Sequence, residues 1–359
     1  MKIVYMGTPD FAAHILSELL KEGRHEIIAV VTQPDKPRDR GVISASPVKE
    51  LALKHSSIAI FQYEKISKEA FNDARFLTAM SNADICVTAA YGQILSQEII
   101  DLASIPEKKK HGIINVHASL LPRYRGAAPI QWAVIKGETE TGISIMKTEA
   151  GLDCGPVLLA KKTALGETET AGQLFDRLKD LGAECLKEAL DIIESGKAEY
   201  IKQDESKATF FPPLRKTDGE IDFGKPAAEI AGLIRGVNPW PGAYTYFNDA
   251  VLKIWTAEAM QSACHGDGVH ADGKKQVFAA PMGHSASLCV STPSPMTTTP
   301  APPCVGQVIS SDKNGVLVEC GNGVLKLLEI QAAGGKRMLA TEFIKGKPII
   351  KGTIFCKQL

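Results

Sequence analysis

No apolar run in these 359 residues approaches the ~20 consecutive residues of a membrane-spanning helix, so no such span and no membrane partner is expected. There is no C-x-x-C. The eight cysteines are scattered, and no set of Cys and His has zinc-ligand spacing. Free thiols in a reducing compartment follow, with neither a disulfide framework nor a metal. A basic stretch followed by an apolar one is missing at the start, as is an Arg/Ser-rich transit pattern. "MKIVYMG" opens directly as a strand, which predicts a cytoplasmic protein. The dinucleotide fingerprint G-x-G-x-x-G is absent as well. The first strand-to-helix turn, "GTPDFAA", holds only Gly7, with Pro9 where a helix should open, which sets an NAD-dependent dehydrogenase aside.

Net charge is also lacking: 41 Lys and Arg face 41 Asp and Glu. The balance hides an asymmetry. Residues 208–359 carry fifteen basic and twelve acidic side chains, and the final 26 residues hold Lys336, Arg337, Lys345, Lys347, Lys351 and Lys357 against Glu342 alone. A basic tail reads either as solvated surface or as a footprint for a polyanion such as RNA.

The chain has the content of a globular protein with a real core, 44% hydrophobic, and a length that suggests two domains. The first half alternates strand and helix patterns. "KIVYMG", "EIIAVVTQ", "ADICVTAA" and "GIINVH" are short apolar runs. "FAAHILSELLKEG" and "AGQLFDRLKDLGAECLKEALDIIESG" have helical periodicity closed by Gly, and "SPVKELALKH" starts with Ser46 as N-cap and Pro47 at the first helical position. This predicts an α/β fold with a doubly wound sheet over 1–205. From 206 the pattern becomes one helix at "PAAEIAGLIRGV" and several short strands, with a hairpin-type turn at "KNG", which predicts a small barrel or sandwich over 206–359. A Ser/Thr/Pro-rich stretch near 263–303 is expected to be a disordered insertion.

"GIINVH" ends with Asn115 and His117 two residues apart. Residues i and i+2 share a strand face, and the carboxyl edge of an open α/β sheet is where ligands sit. An amide beside an imidazole there can meet an oxyanion and move a proton, although such residues often only satisfy loop backbone. Downstream, "EAGLDCGPV" places Asp153 between Gly151 and Gly155. That carboxylate could orient His117 or be a turn residue bonding its own backbone. Cys154 beside it reads as a bystander, since nothing local activates it.

The run "NVHASLLPRYRGAAPIQWAVIKGETETGISIMKTEAGLDCGPV", with "GTPDFA", "TQPDKP", "SPVK", "AYGQIL" and "NPWPGAY", closely resembles the 10-formyltetrahydrofolate-dependent formyltransferases, nearly end to end. The resemblance implies a Rossmann-like catalytic domain and a C-terminal OB-like β-barrel that helps hold tRNA. It implies transfer of a formyl group from 10-formyltetrahydrofolate to the α-amine of methionine on charged initiator tRNA, for translation initiation. No metal is implied, and a monomer is expected. Asn115, His117 and Asp153 match the family's catalytic trio. Ser119, Leu120, Leu121 and Pro122 match its folate-binding segment, and Tyr91, Gly92, Gln93, Ile94 and Leu95 match the wall of its pteridine pocket. Arg123 and Arg125 follow the folate segment, where a phosphate or the folate's acidic tail could pass. Arg40 matches the family's acceptor-contacting arginine, with Lys36 and Arg38 in the same loop, and Lys345, Lys347 and Lys351 are further candidates for tRNA contact.

Two departures stand out: the loop after "TQPD" continues with Val42, Ile43 and Ser44 where the family is richer in lysine, and Cys154 stands where the family usually has Thr. The alternatives are a sister formyltransferase acting on a nucleotide or amino-sugar acceptor, a hydrolase that discards the formyl group, and a non-catalytic RNA-binding relative. A small-molecule acceptor needs no extra basic domain, and the intact trio argues against a non-catalytic protein.

Overall fold

The structure is a computed structural model; it describes residues 1–38, 42–105, 110–261 and 304–355. Arg40 and the 263–303 insertion lie outside the described residues.

Seven strands build the first sheet: β1 (Lys2–Gly7), β2 (Glu26–Thr32), β3 (Ala59–Gln62), β4 (Ile85–Ala89), β5 (Ile113–His117), β6 (Glu140–Lys147) and β7 (Val157–Ala164). Their spatial order is β7-β6-β5-β4-β1-β2-β3. The five strands from β3 to β5 are parallel, while β6 and β7 are added antiparallel. The sheet is therefore doubly wound with an antiparallel edge. In β6, Ile143 and Ile145 alternate with polar residues as in a half-exposed strand, yet it is buried along nearly its whole length, Thr141 and Ser144 included.

Period-two alternation sorts β1 onto two cores. Ile3 and Tyr5 face α1 (Asp10–Glu22), α2 (Pro47–Ala52) and α6 (Ala171–Glu194), whereas Val4 and Met6 face α3 (Ala74–Asn82) and α4 (Gln97–Ala103). The helices obey their sequence signals. Ser46 Oγ accepts the Lys49 N–H at the start of α2, Gly23 ends α1 at φ 68°, and Thr170 and Gln173 cap α6 reciprocally. Phe11, Ile15, Leu16 and Leu19 of α1 are buried; each such side chain contributes about 1.5–3 kcal/mol relative to exposure.

The second domain is an antiparallel sheet in the order β8 (Ala243–Phe247), β9 (Ala250–Met260), β12 (Val324–Ala332), β11 (Gly315–Glu319), β10 (Val308–Asp312). It curls around α7 (Ala227–Gly236). Phe355, beside the β10 edge, stacks on Phe223 at 5.9 Å and meets Phe247 at the end of β8 edge-on at 6.1 Å. The two edges thus approach one another as in a barrel. A helix not foreseen in the basic tail, α8 (Ala340–Gly346), buries Ala340 and Phe343 against this sheet.

The domains meet where α7 lies on α5 (Pro129–Ile135), the helix that follows the site loop. Gly232 and Gly236, one turn apart, make the approach possible: a Cβ on Gly236 would fall 2.3 Å from Ile135 Cγ1 and 2.9 Å from its backbone N.

Candidate active site

At the carboxyl ends of β4 and β5 lies a cleft of about 570 Å³. Its walls come from the two sides of the sheet. Phe11 and Ile130 belong to the core under α1 and α6, and Tyr91 to the core under α3 and α4. Between the walls sit Asn115, His117 and Asp153, so the three residues expected to act together do line one cavity.

Each is held in one orientation. Asn115 Oδ1 accepts the Thr88 hydroxyl at 2.8 Å, which leaves its Nδ2 amide hydrogens for the cleft. His117 is 6% exposed, and its Nε2 lies 2.9 Å from the Tyr124 carbonyl oxygen. A carbonyl only accepts, so Nε2 carries a proton and Nδ1 is the nitrogen open to chemistry. Asp153 Oδ2 stands 3.7 Å from that Nδ1 and accepts the Gly126 N–H at 2.8 Å. Asp153 itself has φ 49°, the left-handed region, which places its carboxylate back over the strand end. Cys154 Sγ donates to the Ala150 carbonyl across the same turn, at 3.5 Å.

The other expected residues are divided. Tyr91 to Leu95 line the cleft, with Ile94 86% exposed. Gln93 turns its amide away, bonding the Ile66 N–H and the Tyr63 carbonyl, and so fastens this wall to the next loop. Ser119 Oγ donates to the Arg123 carbonyl. Leu120, Leu121 and Pro122 line a separate depression of about 510 Å³ with Thr141, Lys162 and residues 206–209. Lys36 lies in a short antiparallel strand pair, Lys36–Arg38 with Val42–Ser44, where a loop was expected, and its Nζ donates to Gln33 Oε1 at 2.6 Å. Lys345, Lys347 and Lys351 are exposed on the second domain, Lys345 bonding Glu342.

Arg125 is the clear correction. Read as a residue beyond the folate segment that an anion could reach, it is 1% exposed. Its guanidinium is taken up by Gln203 and by a bidentate bond to Glu205, and the Glu205 hydrogen bond holds its pKa above the usual arginine value. It cannot meet a ligand. Arg123, half exposed, pairs with Glu138 instead. Ser144 was missed altogether: from the buried strand β6 its hydroxyl donates to the Ser119 carbonyl and accepts the Leu121 N–H. Gln203 was missed too, and only a view of the fold links it to Asp153.

Among the described residues, His25, Asp191 and Glu194, none of which lines the cleft, gather ligand-type atoms, and Arg24 already bonds both acids.

Residues 1–190 match the formyl transferase family and residues 213–348 the family's C-terminal domain. The methionyl-tRNA formyltransferase of Lachnospira eligens is 41% identical over 99% of both chains, and that of Caldanaerobacter subterraneus 42% identical over 99% of both. Among solved structures, an N-formyltransferase from Helicobacter canadensis in complex with folinic acid and dTDP-3-aminofucose shares the fold with a TM-score of 0.57 at 16% identity, covering 91% of this chain and 99% of that one. HypX from Aquifex aeolicus in complex with tetrahydrofolic acid does so with a TM-score of 0.54 at 13% identity, covering this chain fully and 51% of the other. With both domains matched, relatives above 40% identity from end to end and a cleft at the strand ends, the chain belongs to the methionyl-tRNA formyltransferases.

Proposed function

We propose that this chain transfers a formyl group from 10-formyltetrahydrofolate to the α-amine of methionine on initiator tRNA, in the cytoplasm, as a monomer. The observation that carries the reading is the convergence of the Asn115 amide, His117 Nδ1 and the Asp153 carboxylate in one cleft. The folate lies along Tyr91–Leu95, its far end reaching past the cleft to the separate depression of Leu120, Leu121 and Pro122, and the methionyl group approaches from the opposite wall. The neutral amine attacks the formyl carbon. Asn115 Nδ2 and the Nδ1–H of His117, doubly protonated in this step and faced by the Asp153 carboxylate, donate to the oxyanion as it forms; such donors are worth about 3–4 kcal/mol each. Asp153 keeps the imidazole turned to the cleft and holds a water that carries the proton lost by the amine to N10 of the folate. The bond from the formyl carbon to N10 then breaks, leaving formylmethionyl-tRNA and tetrahydrofolate. The folate supplies the one-carbon unit; the protein supplies position and hydrogen bonds.

The test is incubation with 10-formyltetrahydrofolate labelled in the formyl carbon and four competing acceptors: charged initiator tRNA, charged elongator tRNA, glycinamide ribonucleotide and an amino-sugar nucleotide. Label is expected on initiator methionyl-tRNA. Label on a small acceptor, or released as formate, refutes the reading.

Cys154 is given no chemical part. Its thiol only bridges the turn to Ala150, a bond that a threonine hydroxyl can replace. Cys154→Thr is expected to keep kcat/KM within about threefold, far less than the loss of an activated nucleophile costs. A folded but inactive variant would contradict this.

The tRNA is held by Lys36, Arg38 and Arg40 of the first domain and by Lys345, Lys347 and Lys351 of the second. Each phosphate contact contributes a slope of roughly 0.9 in log affinity against log salt. Replacing the three tail lysines by Gln is therefore expected to raise KM for charged tRNA and flatten its salt dependence, with KM for the folate unchanged. Steady-state kinetics at two salt concentrations measure both, and an unchanged slope would make the tail ordinary surface.

A further inference from the structure

Residues 201–211 carry the chain from the first sheet toward the second domain, and they lace together the two loops that bear the site. Ile201 pairs with Val157 just past the Asp153 turn, with bonds of 2.8 and 2.9 Å. The Gln203 amide works in both directions. Its Nε2 donates to the Asp153 carbonyl at 2.9 Å and to the Gly155 carbonyl at 2.7 Å. Its Oε1 accepts from Arg125 Nε at 3.1 Å and Nη2 at 2.9 Å. Glu205 closes the guanidinium from the far side. Further on, Thr209 Oγ1 accepts the Tyr124 N–H at 2.8 Å, and the Thr209 and Phe211 carbonyls accept the N–H groups of Arg125 and Ala127.

Gln203 is 7% exposed and Arg125 1%. A buried guanidinium demands partners for its donors, and only an amide can accept from it while donating to two carbonyls. The position of this amide sets two things at once. It grips the backbone of Asp153, whose left-handed φ of 49° is one that the surrounding structure must impose. Through Arg125 it fixes the neighbouring Gly126, whose N–H holds the Asp153 carboxylate at 2.8 Å.

We propose that Gln203 and Arg125 are positioning residues for formyl transfer: their buried link from the interdomain strap sets the Asp153 carboxylate against His117. The proposal rests on the roles given above to Asp153 and His117. A carboxylate displaced by about 1 Å costs up to about 100-fold in rate without altering ground-state binding.

The test compares Gln203→Met, which keeps the shape and removes every hydrogen bond, with Gln203→Glu, which keeps the acceptor for Arg125 and removes both donors to the Asp153 turn. Each is made in the wild-type and Asp153→Ala backgrounds, with folding checked by near-ultraviolet circular dichroism. Gln203→Met is expected to lower kcat about 10- to 100-fold with both KM values within about threefold. Gln203→Glu should lose nearly as much. In the Asp153→Ala background either substitution should cost less than about threefold more, because the group being positioned is gone. If Gln203→Met does not fold, the Gln203→Glu pair alone decides. Equal fold-losses in both backgrounds, or wild-type kcat in a folded Gln203→Glu variant, would overturn the proposal. Near-normal activity of Asp153→Ala by itself would instead remove the reading beneath it, a result distinguishable because it appears before any strap residue is changed.

Discussion

Asn115→Ala, His117→Ala and Asp153→Ala are each expected to lower kcat/KM for formyl transfer at least about 100-fold, with the fold retained. Each truncation removes a different piece of one assembly. Asn115→Ala deletes the amide whose donors are left free by the Thr88 bond. His117→Ala deletes the nitrogen that the Tyr124 carbonyl turns toward the cleft. Asp153→Ala deletes the carboxylate that faces it. All three line an open cleft, so the cavities they leave fill with water, and a loss of stability comparable to a core deletion is not expected. Steady-state kinetics with charged tRNA, beside a thermal melt, separate the two effects. A folded His117→Ala or Asp153→Ala enzyme with near-normal kcat/KM would refute the mechanism.

The second large effect is expected at Gly155. A Cβ there would lie 1.8 Å from the Lys147 carbonyl oxygen and 2.9 Å from its carbon. These are backbone atoms at the end of β6, and Lys147 N–H bonds the Pro156 carbonyl, so the two segments are paired and cannot part freely. Overpacking of this kind costs about 3 kcal/mol, or roughly 6–12 °C in apparent Tm at about 2–4 °C per kcal/mol. Gly155→Ala should also reduce kcat about 100-fold, because Gly155 supplies a carbonyl to Gln203 and adjoins the Asp153 turn. Calorimetry and kinetics on one preparation check both, and unchanged melting would mean that the backbones are not so close.

Much of the first domain could be read from local pattern. β1 is apolar on both faces because helices cover both, and Asn115 and His117 share a face because strand side chains alternate. What stayed hidden depends on partners far along the chain. A buried arginine looks like a surface arginine until Gln203 and Glu205, 78 and 80 residues away, are brought to it. Ser144 reads as a polar residue on an exposed face until the sheet buries its strand. The approach of the second sheet's edges rests on Phe223, Phe247 and Phe355, which no short window contains together. Helix α8 is only seven residues long, and its two buried residues acquire meaning only against the sheet.

The most direct measurement is the single-turnover rate of formyl transfer with both substrates saturating, taken for wild type, for His117→Ala and for Asn115→Ala/His117→Ala. Saturation removes binding from the comparison, and the single turnover removes product release. If amide and imidazole act as a unit on the tetrahedral intermediate, the rate drops at least about 100-fold in His117→Ala, and the second substitution adds much less than its own separate cost. A double variant that is folded and transfers the formyl group within about tenfold of the wild-type rate would contradict the assignment of the chemistry to this cleft.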